Sequence, residues 1–557
     1  MRIGLFASVV VAGFVIGVAE PSRSADDAAP DVLTLSTICG NEADGSGGST
    51  PVTDAPLKML PGFGNGGFTI STSKPEAQRW FTYGIQLAQA FAHEPAKAAF
   101  REAARLDPDC AMCVWGQAMA DGPTINYGIS SAERTEAGMR AVKAQQLGAG
   151  GTDKERRLLA AMVRRYVRSG GDAAYAADMV AIARAWPDDD ALQVLAAEAL
   201  MDTGKKPRVR EANTILETVL TRNPTHVGAI HFYIHSSEWT DVGYKAEPFA
   251  DRLGMLAPGA SHLIHMPSHT YYRVGRYRDA GRVNVAAIAV DKAWMTTVGW
   301  TKPMWKIGYF GHNVRFALGG AMMAGDAEAA LTIADMYAGV PAEDLAKSPW
   351  AQSSAASAWF AQGRYADPDK VLAMTAPSDT VPLVRAMWRY ARGEALARKG
   401  DAKGVLAEAA SVRLSSREMA AFRGDGGAVA AMLLIAHETL VGRAAMLEGR
   451  YRDAAAAYRK AATRQKKAFG DGGDPPMWWY PTRRGVAAAL LADGKPAEAL
   501  VEANAVLAGW PKDPMTLVVV SRAEAALGHQ PAAAEALAKA RAGWSGAPLD
   551  GVSLNGI

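Results

Sequence analysis

Cysteine is scarce: Cys39, Cys110 and Cys113 are the only three in a chain of 557 residues. A disulfide scaffold is therefore excluded, and so is a four-cysteine zinc site. A charge surplus is missing too. Sixty lysines and arginines stand against 57 acidic residues, a net of +3. That leaves no electrostatic footprint for nucleic acid. The short basic runs Lys205–Arg210 and Arg464–Lys467 read as solvated faces. The chain has no phosphate-binding glycine loop, no Gly-x-Ser-x-Gly elbow and no His-Glu-x-x-His pair. Beyond the N-terminus no segment reads as apolar enough for a transmembrane helix.

What is present begins with a leader. Arg2 precedes an apolar run, Gly4–Ala19, followed by Glu20 and Pro21. A basic start, an apolar middle and small residues at a cut site predict a signal peptide over 1–24, cleaved after Ala19 or Ser24. A membrane anchor is the alternative, but the run is short for a span. The expected location is the periplasm or outside the cell, with no membrane span after cleavage. In such an oxidising compartment each thiol needs an explanation.

Residues 25–74 lack helical periodicity and are rich in small polar residues, so an irregular leader is expected there. From Pro75 onward alanine is frequent and apolar residues recur at helical spacing. The phrase Gly275-Arg-Tyr-Arg-Asp-Ala280 returns unchanged at Gly449–Ala454, and variants begin at Gly325, Gly363, Gly400 and Gly494. Each marks a helix end where glycine supplies the permissive backbone. The uneven spacing, about 34 to 50 residues, is that of helix-pair repeats. Trp80, Gly84, Phe91, Ala96, Phe100, Ala103 and Pro108 follow the large, small, large, small, large, small, proline order of a tetratricopeptide unit. One unit cannot bury its apolar face alone, so neighbours must stack. The prediction is an all-α, right-handed solenoid of helix pairs over 75–545, with a tail at 546–557.

Longer motifs sharpen this. Phe91–Phe100, Leu106–Gly116 with its Cys-x-x-Cys, Gly122–Asn126, His262-Leu-Ile-His-Met-Pro-Ser-His269 through Tyr277, and Pro475–Arg483 together resemble a widespread bacterial family of exported tetratricopeptide-repeat proteins. The resemblance runs from about Gly62 to Trp510. It implies the fold and implies no activity.

Ten histidines occur, and six of them fall between His226 and His269. Pro224 and Pro258 occupy the closing-proline slot of successive units. Counted from them, His231, His235 and Glu238 fall on one first helix, and His262, His265 and His269 on the next. The resemblance implies that these positions line the concave groove. At about 100° per residue, each set spans only about 60° of helix face. His312 follows on a later unit. Neutral imidazole is the commonest ligand for zinc and copper, so the cluster predicts a transition-metal site, zinc or copper, drawn from His231, His235, His262, His265, His269 and His312. The alternative is that each histidine is buried and hydrogen-bonded within the fold, with Pro267 freeing a carbonyl for one of them. Glu238 could ligate, orient an imidazole or act as a general base, and it is the candidate catalytic residue. Arg273 and Arg315 are candidates for steering an anionic substrate. His93 is expected to be structural, and His226, His437 and His529 are given no role.

Cys110 and Cys113 flank a helix start, where the dipole stabilises a thiolate. A redox or structural disulfide, a metal site, and a bridge from either residue to Cys39 all remain open. Trp478, Trp479 and Tyr480 are expected to pack, and Asn126 could cap or ligate. Two functions are carried forward. One is a metal-binding repeat protein, with a metalloenzyme as its further form. The other is a non-enzymatic adaptor whose groove binds a peptide or partner protein.

Overall fold

The computed structural model describes residues 58–557, except 127, 168, 423, 425 and 471–476. The signal peptide, both cleavage sites, Cys39, most of the leader and Pro475–Pro476 lie outside the described residues. Among these residues there is no strand. The chain is all-α, a succession of antiparallel helix pairs.

The first pair, Pro75–Gln89 and His93–Leu106, shows why the pattern folds this way. Trp80, Phe91, Ala96, Phe100 and Ala103 are all buried. The Phe100 ring is held between two glycines. A Cβ on Gly84 would meet that ring at 2.6 Å, and one on Gly116 at 2.3 Å. Gly116 belongs to Ala111–Ala120, the first helix of the next pair, so one ring locks three helices together. Capping boxes at Ser130–Glu133 and Thr152–Glu155 start the helices Ser131–Leu147 and Asp153–Tyr166. The repeated turns close as expected, with Gly275 at φ +76° and Gly449 at φ +72°.

Two large buried clusters follow each other along the array. One runs from Phe63 to Ala280 and the other from Tyr277 to Trp510. The C-terminal repeats curl back onto the middle of the array. Tyr277 Oη donates to the Pro511 carbonyl at 3.0 Å, and the Ser545 amide donates to the Ala324 carbonyl at 2.7 Å. The segment 546–557 is seated rather than loose: Leu549 and Ile557 are buried, and Arg443 Nη1 donates to the Ile557 carbonyl at 2.7 Å.

One expectation needs correction. Gly426–Leu447 is, by length and composition, apolar enough to cross a membrane. Its apolar window is 78% buried within the array. Flanking helices supply the environment that a bilayer otherwise would.

Residues 58–74 have no helix, but they are tied down. The Gly62 carbonyl accepts from the Gly259 amide at 2.9 Å. Asn65 Nδ2 donates to the Thr225 carbonyl and its Oδ1 accepts from the Val227 amide, both at 3.0 Å. This strap crosses the starts of two helices that carry histidines, Val227–Trp239 and Ser261–His265.

Candidate metal centre

Three successive first helices deliver the imidazoles. Val227–Trp239 carries His231, His235 and Glu238. Ser261–His265 and Pro267–Val274 carry His262, His265, His269 and Arg273. Phe310–Met323 carries His312 and Arg315. Pro267 divides the second element, yet Met266 stays helical at φ −49°, ψ −38°. The three imidazoles on either side of it therefore keep one register. All six site histidines are buried, none more than 4% exposed.

They resolve into two groups, His231–His235–His262 and His265–His269–His312. In each, one nitrogen from every ring lies within 4.8 Å of the other two. The groups adjoin: the rings of His262 and His265 are 5.7 Å apart, and those of His235 and His269 are 5.4 Å apart.

Hydrogen bonds decide which nitrogens are available. Asn284 Nδ2 donates to the Ala280 carbonyl at 2.7 Å, which orients its amide. Asn284 Oδ1 then accepts from His265 Nδ1 at 2.6 Å. Glu238 Oε2 accepts from His269 Nδ1 at 2.9 Å, and the Gln89 carbonyl accepts from His231 Nδ1 at 2.6 Å. In a neutral imidazole with its hydrogen on Nδ1, Nε2 is a bare lone pair. Yet His265 Nε2 faces His269 Nε2 at 2.9 Å and His312 Nε2 at 3.0 Å, and His231 Nε2 faces His262 Nε2 at 3.1 Å. Both ring nitrogens of His235 are buried without a hydrogen-bond partner. Fixing Nδ1–H on a carbonyl or carboxylate is how proteins orient a metal-binding histidine. Three nitrogens around a tetrahedral zinc sit roughly 3.3 Å apart. The observed contacts need to open by only a few tenths of an ångström.

Burial pushes the imidazoles towards neutrality, the form that ligates. His231 falls to about 3, through burial first and against the Gln89 bond. His235, His262, His265 and His312 fall well below the ordinary value, by burial first and by neighbouring imidazoles second.

The charged candidates take other parts. Burial would raise the Glu238 carboxyl, but Arg273 and His269 outweigh it and hold it well below the carboxylate range. Arg273 reaches Glu238 Oε1 through Nε at 2.9 Å and through Nη2 at 2.8 Å. A carboxylate so stabilised is a poor proton acceptor. Glu238 thus holds His269 with one oxygen and pairs with Arg273 through the other. Arg315 packs beside His312. Its guanidinium lies 4.7 Å from the Trp350 ring centre, with Nη2 2.9 Å from Met477 Sδ.

Several participants were not read from the sequence: the Gln89 carbonyl, Asn284, Phe91, Tyr309 and Asp291. Phe91 and Tyr309 hold φ values of +56° and +64°, strained for aromatic residues. Their rings flank His262, with centres at 4.9 Å and 4.5 Å. Asn284 and Asp291 share the buried stripe of Tyr277–Thr297 with Ala287 and Ile288. Two polar residues seven apart on such a stripe were the available signal. A cavity of about 210 Å³ opens beside His262, Asp291 and these two rings.

The remaining expectations have plain outcomes. Cys110 and Cys113 are joined by a disulfide, and the Cys113 amide lies 3.1 Å from Cys110 Sγ. Trp478, Trp479 and Tyr480 are buried packing residues. Asn126 Nδ2 donates to Tyr309 Oη at 2.6 Å. His93 stacks on Phe91, and His226 caps its helix by accepting from the Ala229 amide.

No protein-family model matches this chain, and no curated protein matches it. Solved structures of helical-repeat proteins do. A human IFIT1 dimer with m7Gppp-AAAA is 13% identical, with 85% of this chain and 91% of that chain covered and a TM-score of 0.28. The P58(IPK) TPR domain is 14% identical, with 64% and 93% covered and a TM-score of 0.19. Yeast Tom70 is 12% identical, with 82% and 90% covered and a TM-score of 0.30. Scores this low say nothing of what the present chain binds. The helices themselves show an all-α array of antiparallel helix pairs.

Proposed function

We propose that this protein binds transition-metal ions, zinc or copper, one in each histidine triad. The observation that carries the reading is the facing pair of His265 and His269. Their Nδ1 atoms lie against Asn284 Oδ1 and Glu238 Oε2, so with both rings neutral two Nε2 lone pairs meet at 2.9 Å. A cation between them converts repulsion into coordination. Three protein nitrogens leave one position on a four-coordinate ion, as catalytic zinc sites do. His262 stands in a cavity wall, which supports a metalloenzyme in which a small molecule reaches the first triad. The N-terminal signal pattern supports a periplasmic or secreted location.

The test is elemental analysis of protein purified without added chelator. Two ions per chain are expected, falling to one in His231→Ala and one in His265→Ala. Metal-free protein with undiminished thermal stability would overturn the reading. It would favour an adaptor that holds a peptide or protein partner on its concave surface, a role helical repeats commonly serve.

A further inference from the structure

The cavity beside His262 is walled by Phe63, Tyr83, Phe91, Trp294 and Tyr309. Among these rings stands one carboxylate. Asp291 is 6% exposed, and its Oδ2 has no hydrogen-bond partner. Ser261 and Asn313 stand beside it and favour its charged form, but less than burial opposes that form; neither Asp291 Oδ2 nor the Asn313 amide has a partner in good hydrogen-bond geometry. A buried carboxylate lacking a cation is costly, and a ligand that brings the cation removes the cost. Burial pushes the Asp291 carboxyl up to about 7, the response of an acid with no counter-charge beside it. Aromatic faces add their own attraction for an organic cation. Lys58 also reaches the cavity, but from the exposed edge, where water screens it.

We propose that this cavity binds an organic ammonium: a primary amine on a small apolar or aromatic body, with its ammonium set against Asp291. The rings enclose the body, and Asp291 with the neighbouring amide of Asn313 accepts the N–H groups. His262 lies in the same wall, so the amine is brought beside the first triad. That the amine is also the substrate class of a metal held there rests on the metal reading; its binding does not.

The test uses full-length, chelator-treated protein in isothermal titration at pH above 8, with 2-phenylethylamine and its neutral counterpart 2-phenylethanol as probes. The amine should bind about tenfold or more tightly than the alcohol. Asp291→Asn, close in shape, should abolish that preference and leave the alcohol unchanged. Thr297→Trp, at an exposed position on the cavity rim, should weaken both. Equal affinities in the unaltered protein, a preference that survives Asp291→Asn, or indifference to Thr297→Trp would each overturn the proposal. Circular dichroism confirms that each variant is folded. Metal content of untreated samples is read separately. Amine selectivity without metal leaves this proposal standing and removes the metal reading, and full metal content without selectivity does the reverse.

Discussion

His265 and His269 lie one helical turn apart and meet through Nε2 at 2.9 Å, each with its Nδ1 against an acceptor oxygen of another helix. The acceptors come from different helices: Asn284 for one, Glu238 for the other. The chain thus holds both Nδ1 atoms from outside, and neutral rings so held turn their two Nε2 lone pairs inward. His312 closes the group from a third helix at 3.0 Å.

Glu238 is the first point of attack. Glu238→Gln should weaken metal binding in the His265 triad by about 10–100-fold, because the orienting charge on His269 is lost. The His231 triad should keep its affinity. Competition against a chromophoric chelator reads the two sites separately. Equal weakening of both would mean that Glu238 acts on the fold rather than on His269.

The buried imidazoles set a pH dependence in metal-free protein. An unfolded histidine takes up its proton near 6.5, whereas folded His231 and His93 stay neutral down to about 3. The unfolded chain binds more protons in that window, so stability is full above about 6.5 and falls as pH drops towards about 3. Asp291 and Glu198, raised to about 7, and Asp202 and Asp121, also raised by burial, work the other way: their contribution is present at low pH and lost as pH rises through their folded values. Seven lowered imidazoles outnumber these four carboxyls. Urea melts from neutrality downward should lose up to about 1.4 kcal/mol per pH unit for each such imidazole. A flat profile between about pH 6.5 and 4 would contradict the buried neutral cluster.

Packing gives a prediction that owes nothing to metal. Gly84→Ala drives a methyl into the Phe100 ring at 2.6 Å. It should cost about 1–3 kcal/mol by chemical denaturation. Gly427→Ala, where the added methyl meets nothing within 4 Å, should be neutral or stabilising by up to about 1 kcal/mol through helix propensity. Equal effects at the two sites would refute the three-helix lock around Phe100.

Mutation of Arg273 separates charge from position. Arg273→Ala removes both bonds to Glu238 Oε1 but leaves Oε2 on His269. Metal affinity at the second triad should fall by less than in Glu238→Gln. A larger fall would make Arg273, and not the carboxylate, the dominant positioning group.

Local pattern alone determined much of this protein. Glycine at the turns, alternating large and small residues in the first unit, and the proline register made the helix pairs legible, since each depends on neighbours within about one unit. The same register placed His231 with His235, and His262 with His265 and His269, on common faces, because 3.6-residue periodicity is a property of the chain itself. The division into two triads was not legible, nor was the choice of donor nitrogen. His231 is fixed by a carbonyl 142 residues away, and Tyr309 by an amide 183 residues away. The sequence leaves Glu238 open as ligand, orienter or base, and its pairing with Arg273 comes from the tertiary contacts, as does the burial of the apolar helix Gly426–Leu447. Periodicity sets which way a side chain points. What it meets there, and hence which nitrogen keeps its proton, is decided by contacts between distant repeats, which only the tertiary structure brings together.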